Sequence, residues 1–162
     1  MSNTDYVIRP ATEADAGAAF ELIRELAEFE NGLDKVTNTK EQFIKDGFGE
    51  SPIYRLLVAE AGDAKIVGIA LFNITYSTWR GKMLFLDDLI VTKDRRGSGI
   101  GKMLVDALFR IAQDEQVKIV KWQVLDWNTP AIAFYKKLGA VLDSEWIDCK
   151  FSEKEIALYP FS

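Results

Sequence analysis

The segment from Met83 to Ala112 constrains the fold most, because its hydrophobic period changes along its length. Residues 83–91 form a nearly continuous apolar run, which is typical of a buried β-strand. Residues 95–102 read Arg-Arg-Gly-Ser-Gly-Ile-Gly-Lys, and from Ile100 onward apolar residues recur at the spacing of an amphipathic helix. A strand, a glycine-rich turn and a helix N-terminus in this order gather unpaired backbone N–H groups and the positive end of a helix dipole. The segment therefore predicts a site for an anion such as a phosphate.

The spacing of the glycines narrows the kind of phosphate ligand. A dinucleotide fingerprint would need glycine where Lys102 stands, and a P-loop would need glycine at Arg96 and Ser or Thr at Met103. The pattern Arg-x-x-Gly-x-Gly fits instead, at Arg96, Gly99 and Gly101. A flexible loop whose glycines serve only a tight turn is the alternative, and the three cations on the loop disfavour it: Arg95, Arg96 and Lys102.

The rest of the chain predicts one α+β domain over residues 1–162. Thr12 and Thr39 are placed as N-terminal caps of two helices, and Thr129 as the cap of a third with Pro130 at its first position. Strands are predicted at 6–10, 54–60, 66–76, 83–91, 118–125, 140–142 and 146–158. The order β-α-α-β-β-β-α-β-α-β-β describes a mixed, mostly antiparallel sheet flanked by helices.

Two residue counts exclude several kinds of chemistry. The chain has no histidine and one cysteine, Cys149. It therefore cannot form a Ser-His-Asp unit, a histidine-ligated zinc site, an intrachain disulfide or a four-cysteine cluster. We expect no metal, and chemistry carried by carboxylates, hydroxyl groups, backbone N–H groups and a bound cofactor.

The charge and hydropathy of the chain limit the compartment and the binding partners that we expect for the protein. The formal charge of −5 disfavours nucleic acid and favours a cationic ligand. No apolar run is long enough to cross a membrane, and residues 1–5 lack the basic and apolar regions of a signal peptide. A single thiol suits a reducing compartment. We expect a cytoplasmic protein with neither a membrane nor a nucleic acid as its partner.

The Arg96 loop, its strand–loop–helix setting and the element order resemble the GNAT superfamily of N-acetyltransferases. The resemblance extends over nearly the whole chain to the diamine (spermidine/spermine) acetyltransferase branch, through residues 7–12, 22–30, 46–50, 76–79, 125–128 and 134–140. Tyr-Ser-Thr-Trp at 76–79 and Val-Leu-Asp-Trp-Asn at 124–128 are closer to the thialysine Nε-acetyltransferase subgroup. Ser77 stands where the polyamine enzymes carry an acidic residue, which argues against a long polyamine.

This resemblance implies acetyl-CoA as co-substrate and gives it a binding site. The pyrophosphate would lie on the loop, and the pantetheine would pair with the backbone of residues 89–91 where two strands splay. A backbone N–H near Leu89 would polarise the thioester carbonyl as an oxyanion donor. Asn128 would bind the pantetheine or the adjacent backbone. The implied cofactor-binding residues are Leu89, Ile90, Val91, Arg96, Gly97, Ser98, Gly99, Ile100, Gly101, Lys102, Asn128 and Tyr135.

The pair Asp87-Asp88 interrupts the apolar strand, and strand neighbours point to opposite faces, so the two carboxylates have different environments. A carboxylate in a partly buried cleft has a raised pKa, which suits a base that takes a proton from an ammonium group. One of the pair is expected to be structural, at a bulge. The resemblance gives the functional role to Asp87, through a water because relatives carry the longer Glu. It makes Tyr135 the acid that protonates the departing thiolate, whereas Phe134 is the better core residue.

The amine would bind among aromatic and acidic side chains. Residues at the end of the first helix contact the substrate in related enzymes, and others of the set could form a cage around an ammonium group. Each acidic member taken alone could equally be a solvated surface charge. The predicted substrate-binding residues are Phe29, Glu30, Trp79, Asp87, Asp126 and Trp127.

The predicted function is direct transfer of an acetyl group from acetyl-CoA to the terminal amine of thialysine or a lysine analogue. A diamine or polyamine such as putrescine or spermidine is the alternative substrate. Two other functions remain: an Nα-acetyltransferase of peptides and a non-catalytic acyl-CoA-binding regulatory module. The branch implies a homodimer, often with exchanged C-terminal strands, and residues 146–161 are apolar enough for this.

Overall fold

The computed structural model describes residues 6–161. Residues 1–5, on which the expectation about a signal peptide rests, lie outside this range. The helices and strands, in chain order, are β1 (Tyr6–Pro10), α1 (Ala16–Phe29), α2 (Lys40–Phe48), β2 (Arg55–Ala61), β3 (Ile66–Ser77), β4 (Gly81–Val91), α3 (Ile100–Asp114), β5 (Ile119–Lys121), α4 (Thr129–Lys137) and α5 (Glu153–Ala157). Residues up to 123 and residues from 124 onward form two compact units, which are described separately.

The first unit holds a five-stranded sheet in the order β1-β2-β3-β4-β5. The strands pair antiparallel except β4 and β5, which run parallel. This confirms the predicted α+β class with a mixed, mostly antiparallel sheet. β5 is shorter than predicted, because only Ile119–Lys121 pair with β4, at residues 83–85.

Two apolar clusters cover the two faces of this sheet. Alternate residues of β3 belong to different clusters. Ala70 and Phe72 are in the cluster that contains Ile100, Leu104 and Leu108 of α3. Ile69 and Leu71 belong instead to the cluster that contains α1 and α2, including Ala16, Ala19, Phe20, Leu22 and Phe43. This is the alternation expected for a strand buried on both faces. Each face of the sheet is therefore covered by helix.

Thr12 and Thr39 are both N-terminal caps, as predicted, but Thr12 caps a 3-10 turn at Glu13–Asp15 and α1 itself begins at Ala16. The Asp15 carboxylate accepts hydrogen bonds from the backbone N–H (2.7 Å) and the hydroxyl (3.0 Å) of Thr12. At the next helix the Thr39 hydroxyl accepts from the N–H of Gln42 at 3.1 Å. α1 ends at Phe29, and beyond it Asn31 has a φ of 55° and the Gly32 N–H donates to Ala27 O at 2.8 Å. These local capping contacts set the limits of both helices.

Two predictions for the second unit are wrong. The cap of α4 is Asn128, whose side-chain oxygen accepts from the N–H of Ala131 at 3.3 Å, so Thr129 is the first helical residue. The strands predicted at 140–142 and 146–158 do not form in the described chain. Ser152 and Glu155 instead make a capping box, which begins α5 in the middle of the second predicted strand.

The apolar pattern that predicted these strands remains in the structure without a sheet. Val141, Ile147 and Phe161 are about nine-tenths exposed. A β-strand needs a neighbouring strand to bond its backbone, and residues 140–151 have none within the part of the chain described. Residues 6–161 also contain no helix that is both long and apolar enough to span a bilayer.

Candidate active site

The loop between β4 and α3 has the backbone geometry of an anion site. Gly97 has a φ of 77° and Gly99 a φ of 88°, and Gly99 is the residue immediately before α3. Glycine is favoured in both places because other residues adopt this left-handed conformation at a cost. The Ser98 hydroxyl donates to Arg95 O, which closes the turn. The loop thus leads into the N-terminus of a 15-residue helix, whose first N–H groups have no intrahelical acceptor and suit a phosphate.

Arg96 connects this loop to the end of α1. Its Nε donates to Val91 O at 2.9 Å, and its guanidinium carbon lies 5.1 Å from the centroid of the Phe29 ring. Its Nη2 is 3.6 Å from a carboxylate oxygen of Glu25. The structure therefore brings together two residues that the sequence predicted for different ligands, Arg96 for the cofactor and Phe29 for the amine. Lys102, also predicted on the loop, pairs with Asp106 at 2.6 Å.

Glu25 is a residue of this region that the sequence analysis missed. Its carboxylate accepts from the backbone N–H of Lys93 at 2.7 Å and from the Thr92 hydroxyl at 2.9 Å, besides its pairing with Arg96. The sequence gives no local signal for these contacts, because the partners lie more than 65 residues further along the chain. In the sequence Glu25 is one of several acidic residues on a helix face.

β4 has an open edge beside the loop. On one side it pairs with β3 along its whole length, and on the other it pairs with β5 only at residues 83–85. Residues 86–91 therefore have no ladder partner on the β5 side among the residues described. This open edge contains Leu89, Ile90 and Val91, the residues predicted to form hydrogen bonds with the pantetheine. An extended, amide-bearing ligand could pair with a strand edge of this kind.

A β-bulge separates the two aspartates of β4. Leu71 pairs with Asp88 and Phe72 pairs with Leu86, so Asp87 is the extra residue without a register partner. Asp87 is exposed, whereas Asp88 is partly buried. Burial, together with the negative charges of Asp87 and Glu30, raises the pKa of Asp88 to about 6. Burial also raises the pKa of Glu30.

Asp88 is thus a partly buried carboxylate with a raised pKa, the property that the sequence analysis expected of a proton-accepting carboxylate. The missed signal is the bulge, because it changes which face each aspartate takes, and a sequence without its partner strand does not reveal it. Three carboxylates, of Glu30, Asp87 and Asp88, interact electrostatically at this place. Among residues 6–161 no group of three His, Cys, Asp or Glu residues could hold a metal ion. The negative charges of the three carboxylates favour a cationic ligand.

Asn73 adds a polar atom on the same side of the sheet. Ile69 and Leu71 face α1 and α2, so strand alternation puts Asn73 on that face, two residues along from the partner of Asp88. Its side-chain oxygen is buried and has no hydrogen-bond partner among the described residues. A buried acceptor is stabilised by a donor. The sequence analysis did not select this residue, which lies inside an otherwise apolar strand.

The other predicted residues belong to the turn between β3 and β4 and to the second unit. Trp79 is in the turn between β3 and β4 and is 83% exposed. In the second unit, Asp126 and Trp127 are exposed just before α4. Tyr135 lies in α4, with its ring 5.4 Å from that of Phe134. Asn128 uses its side-chain oxygen to cap α4, which gives it a structural role that the sequence analysis did not assign.

Comparison with known proteins identifies the family. Residues 17–140 match the model of the acetyltransferase (GNAT) family, which is more than half of the chain. The chain belongs to the GNAT acetyltransferase family. It is an N-acetyltransferase, and its five-stranded mixed sheet with flanking helices is the GNAT fold, as the sequence predicted.

Curated relatives and solved structures agree with this assignment. The chain is 41% identical to thialysine N-epsilon-acetyltransferase of Bos taurus, over 83% of each protein, and 38% identical to that of Mus musculus. It is 36% identical to spermidine/spermine N(1)-acetyltransferase-like protein 1 of Homo sapiens, over 96% of this chain and 24% of that protein. An integron cassette protein of V. cholerae has the same fold, with a TM-score of 0.77 at 22% identity over 95% of this chain and 96% of that one.

Proposed function

We propose that this enzyme transfers the acetyl group of acetyl-CoA directly to the terminal amine of a small amino acid such as thialysine or a lysine analogue. One observation carries the proposal: residues 89–91 of the open edge of β4 lie between the anion loop and the Asp87-Asp88 pair, and the charge of Glu30 acts on Asp88. A cofactor with phosphates at one end and a thioester at the other fits the anion loop and the open edge of β4. A cationic amine fits the carboxylates.

Acetyl-CoA would bind with its pyrophosphate on the N–H groups of residues 97–102 and on the Arg96 guanidinium. The pantetheine amides would pair with the open edge at residues 89–91. The thioester carbonyl would then lie near the Leu89 N–H, which acts as an oxyanion donor. The chemistry that acetyl-CoA supplies is an activated acetyl group.

The amine must lose a proton before it attacks. The ammonium group gives a proton through water to the Asp87–Asp88 pair, with Asp87 on the solvent side and Asp88 as the carboxylate with a pKa of about 6. The nitrogen forms a bond to the carbonyl carbon, and the C–S bond then breaks. By the family resemblance Tyr135 gives its proton to the departing thiolate. No covalent enzyme intermediate is needed, since the nucleophile is the substrate amine.

A diamine or polyamine is the alternative acceptor. The human relative with spermidine/spermine in its name supports it, and so does the acidic cluster, because a second ammonium group would also be attracted. Ser77 argues for the shorter substrate, since an acidic residue there is the feature of the polyamine enzymes that this chain lacks. A non-catalytic acyl-CoA-binding module would bind CoA and transfer no acetyl group.

A panel of amines tests these alternatives. The enzyme is incubated with acetyl-CoA and either thialysine, lysine, ornithine, putrescine or spermidine, and release of CoA thiol is followed. We expect the highest kcat/KM on thialysine. A higher value on spermidine would support the polyamine alternative, and CoA binding without thiol release on any amine would support the non-catalytic module.

We also propose that the protein is a cytoplasmic homodimer whose C-terminal segment contacts the partner subunit. Its support is the exposed apolar side chains of residues 141–161, among them Val141, Ile147, Phe151 and Phe161. Exposed apolar surface of this kind favours an interface. Light scattering should give twice the monomer mass, and Ile147→Asp should reduce it. A monomeric wild-type protein would contradict the proposal.

A further inference from the structure

The carboxylate of Glu25 joins the cofactor loop to the helix that ends at the amine site. It accepts from Lys93 N–H and from the Thr92 hydroxyl, at 2.7 and 2.9 Å, and lies 3.6 Å from Arg96. All three partners lie between the end of β4 and the glycines of the loop. Two of the contacts are short hydrogen bonds with a charged acceptor, which are stronger than neutral ones. Glu25 therefore fixes the last half of α1 against the start of the loop.

A second contact continues from the loop to the carboxylates. The guanidinium of Arg96 packs on the ring of Phe29, one turn after Glu25 and next to Glu30. The charge of Glu30 in turn contributes to the raised pKa of Asp88. Arg96 and Asp88, at the cofactor and amine ends of the site, are thus connected through the last turn of α1.

We infer that Glu25 is a positioning residue through which acetyl-CoA binding strengthens amine binding, an inference that rests on the proposed function. A guanidinium has five N–H donors, so Arg96 serves a phosphate and Glu25 together. A phosphate on Arg96 orders its guanidinium, and the ordered guanidinium holds Phe29 and Glu30 in the position that binds the ammonium group. By linkage, the amine strengthens cofactor binding by the same factor.

Glu25→Gln is the variant that tests this role. It keeps the size of the side chain but removes the charge and replaces one acceptor oxygen by an NH₂ donor, which cannot accept from Lys93 or Thr92. Glu21→Gln is the matched control, because Glu21 lies one turn earlier on α1, is exposed and pairs with Arg24 of the same helix at 3.8 Å. Thr92→Val removes one of the two hydrogen bonds while keeping the shape of the side chain.

The measurement is the dissociation constant of thialysine by isothermal titration calorimetry, alone and with saturating CoA, which has no acetyl group to transfer. In the wild type we expect CoA to lower this constant by about 5-fold or more, a typical size for coupling between two sites. In Glu25→Gln the ratio of the dissociation constants without and with CoA should approach one. Thr92→Val should give an intermediate ratio, and Glu21→Gln the wild-type ratio.

The outcomes separate this inference from the proposed function. A wild-type ratio of one, or an unchanged ratio in Glu25→Gln, would overturn the inference while acetyl transfer to amines stands. A Glu25→Gln variant that binds both ligands more weakly with an unchanged ratio would show a purely structural role. If Glu25→Gln does not fold, the inference is tested by Thr92→Val alone, and a wild-type ratio in that variant would overturn it. A wild-type protein that binds neither CoA nor thialysine would overturn the proposed function and the inference with it.

Discussion

The pKa of Asp88 predicts the pH dependence of the enzyme. Burial, with the charges of Asp87 and Glu30, raises this pKa from 3.8 to about 6. A shift of this size corresponds to about 3 kcal/mol of preference for the neutral carboxyl group. If Asp88 must be ionised to accept the proton from the ammonium group, kcat/KM rises with pH through about 6 and then levels off.

Two single variants distinguish the roles of Asp87 and Asp88 in this pH dependence. Asp88→Asn should remove this acid limb and lower kcat by about 10²-fold or more, the usual contribution of a general base. Asp87→Asn removes a like charge beside Asp88, so the limb should persist but move to lower pH, with a smaller loss of kcat. The assay is initial velocity with thialysine and acetyl-CoA between pH 5 and 9, with the exposed turn variant Asp63→Asn as control. An unchanged limb in Asp88→Asn, or its complete loss in Asp87→Asn alone, would refute the reasoning.

Three further predictions concern stability and the cofactor loop. Gly47→Ala directs a methyl group into the Tyr54 ring, so chemical denaturation should show a loss of about 1–3 kcal/mol although alanine favours helix. Arg9 holds the pKa of Asp15 at about 2, against a usual 3.8, so this carboxylate stabilises the fold above pH 4 and the effect is lost as the pH falls through 2. Asp15→Asn should therefore lower the free energy of unfolding at pH 7 by about 2 kcal/mol, with a smaller effect at pH 3. Gly99→Ala places a side chain at a φ of 88°, which costs about 1–2 kcal/mol, and should raise the KM for acetyl-CoA more than it lowers kcat.

Each of these variants has a control in the same chain. Gly62→Ala adds a methyl group in open space and should leave stability unchanged. Asp63→Asn removes a carboxylate that accepts one hydrogen bond within an exposed turn, at 3.3 Å. Equal losses in Gly47→Ala and Gly62→Ala, or in Asp15→Asn and Asp63→Asn, would contradict the packing and ion-pair contacts described. An unchanged KM for acetyl-CoA in Gly99→Ala would contradict the role of the loop.

The sequence predicts the first unit well because its signals are local. The caps at Thr12 and Thr39 and the loop before Ile100 depend on residues within one helical turn. The apolar runs that predict β2, β3 and β4 are long and bounded by turns. Such features need no knowledge of the partner element, so their limits agree with the structure to within a few residues.

The errors and omissions depend on partners that are distant in sequence. Asp88 becomes the more buried of the two aspartates through a bulge, which exists only in the pairing of β4 with β3. Glu25 acquires its role from Thr92 and Lys93, which lie on another element. Residues 146–158 have the composition of a strand, but a strand forms only with a neighbour, and the Ser152 capping box acts locally. The local pattern of residue types does not indicate which distant segments come into contact, so these features could not be predicted from it.

Steady-state kinetics with both substrates varied tests direct transfer. Acetyl-CoA concentration is varied at several fixed concentrations of thialysine, or of the best amine of the panel. If the amine attacks the thioester in a ternary complex, double-reciprocal plots intersect, and incubation of the enzyme with acetyl-CoA alone releases no CoA and leaves no acetyl group on the protein. Parallel lines, together with an acetylated enzyme, would contradict direct transfer and require a nucleophile on the protein.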